Sequence, residues 1–213
     1  MGRTVRLPPP ISSRAPYWLV IDLEATCDDA GAIPRSEREI IEIGAVLVGA
    51  ESLEVEAEFE CLVKPLLHPH LSDFCVQLTG IQQTEVEGAG DLPGALLALR
   101  TFIGERSVQA CAWGPHDAEL LGIGCGRLGL PFPFETPIFD LVGPFSLRAG
   151  LRQRPGLRLA LHLAGLDQEG GSHRGIHDAR AAARLLPWCL GRVPLPPASN
   201  RTFSDLSKAS PVG

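Results

Sequence analysis

Residues Tyr17-Trp18-Leu19-Val20-Ile21 run directly into Asp22-Leu23-Glu24-Ala25-Thr26, an apolar strand that ends in two carboxylates one residue apart. A strand alternates its side chains, so Asp22 and Glu24 leave its end on the same face. Two carboxylates side by side repel each other and are costly to desolvate unless a cation lies between them. One such acid could instead cap the following turn through backbone N–H groups. Two on one face favour a metal ion. Far downstream, Ser172-His173-Arg174-Gly175-Ile176-His177-Asp178 places a histidine and another carboxylate just ahead of a helical pattern. A carboxylate pair on a strand and a distant His/Asp pair read together as the site of a metal-dependent hydrolase.

A chain of 213 residues fits one domain. With 45% hydrophobic residues and a mean hydropathy of +0.11 it can fill a core, which excludes a disordered chain. The net charge of -6 and the pI near 5.5 give no global basic field. That argues against a protein whose sole task is to hold nucleic acid, and leaves room for an enzyme that meets phosphate through metal ions. None of the six cysteines (Cys27, Cys61, Cys75, Cys111, Cys125, Cys189) falls in a CxxC pair or beside a histidine at zinc-finger spacing, and their apolar settings suit small core residues. The first ten residues lack the apolar region of a signal peptide, and no segment is long and apolar enough to span a membrane. The expected setting is a reducing, cytoplasmic one.

The pattern of elements predicts an α/β fold. Residues 1–16 read as a loose leader and residues 17–24 as the first strand, followed by a loop from Cys27 to Ser36. Glu39 to Val48 reads as a second strand and Leu53 to Val63 as a third. In the third, Val55, Ala57, Phe59, Cys61 and Val63 alternate with Glu54, Glu56, Glu58 and Glu60, so the glutamates are expected to form a solvated face. Helical spacing follows over Leu92–Gly104, a short strand over Val108–Trp113, and a helix from Pro115 to Arg127 that starts near Asp117. Two more helices are expected over Leu157–Leu166 and Ile176–Leu190, separated by Gly170-Gly171, before a Pro/Ser-rich tail over 191–213. Three antiparallel strands, then helix, strand and helix, give a mixed sheet covered by helices over 17–190.

Asp117 and Asp178 each precede a helix, where an acid also serves as an ordinary N-terminal cap. As an ensemble the residues are more specific. Asp-x-Glu on the first strand, an acid heading a central helix and His-x4-Asp heading the last helix resemble the DEDDh (DnaQ-like) 3′–5′ exonucleases. The likeness is greatest to the Eri-type branch, relatives of the histone-mRNA and small-RNA exonuclease. It is carried by Val20 to Cys27, Glu39-Ile40-Ile41-Glu42, Val63-Lys64-Pro65, Leu71 to Cys75, Leu78-Thr79-Gly80-Ile81 and the His173–Asp178 segment. The resemblance implies a ribonuclease-H-like mixed sheet and a two-metal phosphodiesterase. Asp22, Glu24, Asp117 and Asp178 would hold two Mg²⁺ ions, which Mn²⁺ could replace, since oxygen-only ligands suit these ions. His173 would accept a proton from the attacking water. The partner would be a nucleic acid, a single-stranded RNA 3′ end, released as nucleoside 5′-monophosphates. Leu23, Ala25 and Leu78 would pack on the terminal nucleotide, with His116 at the position before the third acid, where relatives often carry an aromatic.

Further departures are His177 in place of an acid before Asp178, and a leader too short for a SAP-like nucleic-acid-binding segment. Arg148, Arg152, Arg154 and Arg158 form the densest basic stretch, read either as phosphate contacts or as a solvated helix face. Two other assignments remain open: a non-catalytic RNA-binding protein on the same fold, and a proofreading subunit that acts on DNA.

Overall fold

Strand β1 (Tyr17–Ala25) is apolar on both faces over its first five residues, and it takes a central place in the sheet. It pairs antiparallel with β2 (Ile40–Gly49), which pairs antiparallel with β3 (Val55–Leu62). On its other side it runs parallel to β4 (Val108–Ala112), which is parallel to the two-residue β5 (Phe139–Asp140). The order is β3-β2-β1-β4-β5. The computed structural model describes residue 11, residues 13–167 and residues 173–196. A 3-10 turn, Arg35–Glu37, leads into β2.

Eight helices are found among the described residues: α1 (Asp73–Thr79), α2 (Gln83–Glu87), α3 (Leu92–Ile103), α4 (His116–Leu128), α5 (Val142–Ala149), α6 (Leu157–Ala164), α7 (Gly175–Arg184) and α8 (Leu186–Cys189). The alternation of β1 divides the core between them. Trp18 and Val20 join Phe145, Ala160, Ala179 and Leu186 on the α5–α8 side. Leu19 and Ile21 join Leu96, Leu99, Leu121 and Cys125 on the α3–α4 side. Each buried Leu, Ile, Val or Phe among them stabilises the fold by about 1.5–3 kcal/mol. The same alternation, continued two residues, aims Asp22 and Glu24 toward α7 and Leu23 toward α4.

Helix α7 lies unusually close to the sheet. Its buried Ala179, Ala181, Ala182 and Ala183 add little bulk. A Cβ on Gly44 would sit 2.1 Å from the carbonyl carbon of Gly175, and one on Gly175 would sit 2.9 Å from the Asp22 carbonyl oxygen. Only glycines let these two backbones meet, and that contact brings the head of α7 to the end of β1.

The mixed sheet matches the expectation from the sequence, with strand and helix limits shifted by a residue or two. The expected single helix over Ile176–Leu190 is instead α7 and α8. Pro187 has no amide to donate and its ring crowds the preceding turn, so the chain restarts with Pro187 in the first turn of α8. Helices α1, α2 and α5 and strand β5 are absent from the expected order: α1, α2 and β5 are too short to show a period, and α5 opens on Val142-Gly143-Pro144, where Gly-Pro reads as a turn. The expected glutamate face of β3 is exposed, but two of its members are paired with α7 and its cap: Glu58 with Arg180 and Glu60 with Arg174. Nor do the four arginines share a helix face. Arg148 lies in α5 with its Nε donating to the Cys189 carbonyl, Arg154 pairs with Asp140 in the loop beyond, and Arg158 lies in α6. Cys75, Cys111, Cys125 and Cys189 are buried, Cys27 and Cys61 half-buried, and all six are free thiols. Residues 1–10 and 197–213, most of the expected leader and tail, lie outside the described residues, as do Gly170 and Gly171. Ile11 donates its amide to the Leu190 carbonyl at 2.8 Å, and both Ile11 and Leu195 pack on the core.

Candidate active site

The C-terminal ends of the parallel strands β1 and β4 open into one cleft of about 500 Å³. Ligand sites of open α/β sheets collect at this edge. Leu23, Glu24, Ala25, Leu78, His116, Asp117 and His173 all line the cleft. Asp178 belongs to the same centre, because ligand atoms of Glu24, His173 and Asp178 lie within 4.8 Å of one another. Asp22 stands beside them, its carboxyl feeling the charges of Asp117, Glu24 and Asp178. Every candidate residue therefore falls at one place in the fold.

Each acid arrives by a different local device. Asp22 and Glu24 come from the alternation of β1. Asp117 sits in the first turn of α4, 7% exposed, and its Oδ1 accepts the Leu23 amide at 2.8 Å. That bond fixes the acid to the backbone between Asp22 and Glu24. Asp178 sits in the first turn of α7, and its Oδ2 accepts the His173 amide at 2.9 Å. Neither Asp117 nor Asp178 is an N-cap; the caps there are Pro115 and Arg174.

The acids are unsettled as a group. Burial first, and then the charges of Asp117, Glu24, Asp178 and Glu42, hold Asp22 well above the usual carboxylate range. Glu24 is pushed up to about 8 by burial and then by Asp178, Glu42 and Asp117. Burial lifts Asp117 to about 7 against the pull of the Leu23 amide. Asp178 is raised by burial as well, opposed by its bond from His173. Four crowded carboxyls that all resist ionisation would be eased by a cation among them.

His173 is held in a left-handed backbone conformation, φ 64°, which is uncommon outside glycine and costs on the order of 1 kcal/mol. The residues after it supply the restraint. Arg174 donates from Nε and Nη2 to Oε1 of Glu42, at 3.0 and 2.9 Å, and from Nη2 to Glu60 at 2.7 Å. Oε2 of the same glutamate accepts the Gly175 amide at 2.6 Å. Glu42 is fully buried in β2, so the strand clamps the segment that carries the histidine.

Glu42 and Arg174 had no part in the sequence-based site, nor did Arg35 and Arg38, which also line the cleft. Glu42 did leave a signal: one acid inside Ile40-Ile41-Glu42-Ile43, where a buried charge demands a partner. Arg35 contacts His116, Nη2 to Nδ1 at 2.8 Å, and lies 3.9 Å from Glu119. His116 is exposed at the rim and engaged there.

A family model described as Exonuclease (RNase_T) matches residues 19–186, from within β1 to the start of α8. The chain belongs to this exonuclease family. Among curated proteins, human ERI1 exoribonuclease 2 is 35% identical over 196 residues, covering 81% of this chain and 28% of the relative. Human 3′-5′ exoribonuclease 1 is 32% identical over 179 residues, covering 79% and 51%. This chain thus spans from just over a quarter to about half the length of those two relatives. Among solved structures, the nuclease domain of 3′hExo, a DEDDh family member bound to rAMP, superposes with a TM-score of 0.73 at 28% identity, over 88% of this chain and 99% of that one. A 3′-exonuclease captured in 3′-end-specific recognition of a histone mRNA stem-loop gives 0.74 at 30% identity, over 82% and 65%. The mixed sheet of this exonuclease-family chain is the ribonuclease-H-like sheet of the DEDDh nucleases.

Proposed function

We propose that the protein is a metal-dependent 3′–5′ exonuclease that shortens single-stranded RNA from its 3′ end to nucleoside 5′-monophosphates. The observation that carries this reading is the convergence of Asp22, Glu24, Asp117, Asp178 and His173 on a single cleft with an apolar wall. The names and titles of the relatives, exoribonucleases and a nuclease domain with rAMP, support RNA as the substrate.

The residues present fit divalent cations. Four carboxyls, each raised by burial, offer only hard oxygen ligands, which suit Mg²⁺ or Mn²⁺. Asp22, Glu24 and Asp178 would hold one ion, and Asp22 with Asp117 a second. When bound, such a pair stabilises both the attacking and the leaving oxygen of an in-line displacement at phosphorus.

The protein's own groups do the rest. Leu23, Ala25 and Leu78 offer an apolar surface on which any terminal base can pack, without selecting sequence. The Asp117–Leu23 bond keeps that surface in register with the acids. His173, restrained through Asp178 and the Glu42–Arg174 clamp, takes the proton of the attacking water, the general-base work to which an imidazole side chain is suited.

The test is incubation of 3′-labelled and 5′-labelled RNA oligomers with Mg²⁺, beside matched DNA. Shortening of the 5′-labelled strand one nucleotide at a time, lost in Asp22→Ala and His173→Ala with folding unchanged, is the expected result. No loss from the 3′ end overturns the reading, and faster loss of DNA overturns its substrate.

A further inference from the structure

Arg38 stands in the wall of the cleft, just ahead of β2. Its backbone is fixed on both sides: the amide donates to the Arg35 carbonyl at 3.4 Å, and the carbonyl accepts from Nη2 of Arg127 at 3.4 Å. Its side chain is differently placed. The Nε is buried from solvent and meets no acceptor, and no carboxylate pairs with the guanidinium among the described residues. A buried guanidinium N–H without an acceptor loses its hydration and gains nothing in exchange. Its neighbour Arg35 already faces His116 and Glu119. Arg38 is therefore the uncommitted guanidinium among the residues that line the cleft. Its charge reaches the Cys27 thiol on the same wall, a few residues beyond Glu24 on the chain.

A strand entering this cleft brings more than one negative charge. The scissile phosphate would meet the acids through the cations they hold, but each linkage on its 5′ side carries a charge that such ions would not cover. Without a cation of its own, a second phosphate beside a wall that includes Glu24, Asp117 and Glu119 is repelled. We propose that Arg38 binds a non-bridging phosphate oxygen of a linkage on the 5′ side of the scissile bond. A guanidinium–phosphate contact is charge-assisted and geometrically matched. It positions the backbone without reading the bases, as the apolar packing of Leu23, Ala25 and Leu78 also does. Arg38 thereby favours strands with several linkages over a dinucleotide.

This inference rests on the exonuclease reading, and its test separates the two. Affinity is read by fluorescence anisotropy of a 5′-fluorescein oligouridylate in Ca²⁺, for wild type, Arg38→Gln and Arg38→Lys. Arg38→Gln weakens binding about tenfold, and Arg38→Lys, which keeps the charge but not the fork, falls between. Oligomers with one neutral methylphosphonate at successive linkages locate the contact. At one position the neutral linkage weakens wild type by a similar factor and weakens Arg38→Gln no further. Unchanged affinity in both variants, or an equal further loss in Arg38→Gln at every position, overturns the proposal. Wild-type binding with this pattern but no shortening in Mg²⁺ would remove the exonuclease reading and leave the contact standing. Shortening by wild type with no effect of Arg38 would remove the contact alone.

Discussion

Glu24 and Glu42 are direct partners in the register of β1 and β2, so their carboxylates leave the same face of the sheet on adjacent strands. Like charges so placed are destabilising, and only one of the pair is compensated. Glu42 holds Arg174 and the Gly175 amide, whereas Glu24 has no guanidinium partner among the described residues and is pushed up to about 8. One glutamate thus serves as an anchor for the histidine segment, and the other stays available to a cation.

Glu42→Ala should therefore damage both fold and chemistry. It leaves the Arg174 guanidinium with Glu60 as its one carboxylate and the Gly175 amide without its acceptor. Losing the acceptor of a buried amide and one carboxylate of a partly exposed arginine costs about 2 kcal/mol, measurable by urea unfolding. In the fraction that folds, kcat should fall more than KM rises, because the His173 backbone loses its restraint and the apolar wall does not. Glu42→Asp should recover part of kcat; equal kcat in Glu42→Ala and wild type would remove the clamp from the mechanism.

Glu24→Gln makes the opposite trade. The amide keeps the shape and removes a charge that burial, Asp178, Glu42 and Asp117 all oppose. Above about pH 8, metal-free Glu24→Gln should be more stable than wild type by about 1 kcal/mol or more, read as about 3 °C in the thermal midpoint. Mg²⁺-dependent hydrolysis should be lost in the same variant. A midpoint equal to or below that of wild type in EDTA would count against the crowding of the acids.

The same shifts set the pH dependence of stability. Glu24 has an ordinary value of 4.5 and is pushed up to about 8 in the fold, so between these values the folded chain holds a proton that the unfolded chain has released. Asp117, lifted to about 7 in the fold, adds to the effect above its ordinary value of 3.8. Stability of the metal-free protein should therefore fall as pH rises from about 4 to about 8, and level off beyond. Mn²⁺ binding displaces those protons, so its stabilisation should grow over the same interval. Thermal midpoints in EDTA and in Mn²⁺ across this range check both slopes; a metal-free midpoint that climbs toward pH 8 would contradict the raised carboxyls.

Much of this was legible in the residues, for a physical reason. Asp22, Glu24 and the apolar run before them follow a strand's period of two, which is local. Asp117 and Asp178 head helices, and a helix start is also local. What binds Asp117 to the Leu23 amide, or Glu42 to Arg174, joins residues 94 and 132 positions apart, and no short window contains such a pair. Arg38 carried no signal at all, since its interest lies in an acceptor that the fold withholds. The break between α7 and α8 has a local signal in Pro187, which the expectation of one helix over Ile176–Leu190 did not take into account.

Gly44→Ala tests the contact on which the whole site depends. The added methyl would lie 2.1 Å from the Gly175 carbonyl carbon and 2.2 Å from the Ile176 nitrogen, both of them backbone atoms that cannot rotate away. Relief requires α7 to lift from β2, and α7 carries Asp178 in its first turn with His173 just ahead of it. Overpacking of this kind costs about 3 kcal/mol. The displacement should also separate Asp178 and His173 from Glu24, which now lie within 4.8 Å. Gly44→Ala should accordingly show a lower urea midpoint and a weakened Mn²⁺-dependent rise in thermal midpoint. Gly122→Ala in α4, where a Cβ meets nothing within 4 Å, is the control: helix propensity should raise its urea midpoint slightly and the Mn²⁺ response should be unchanged. If the two variants behave alike, the close approach of α7 to the sheet is not what holds the acids together.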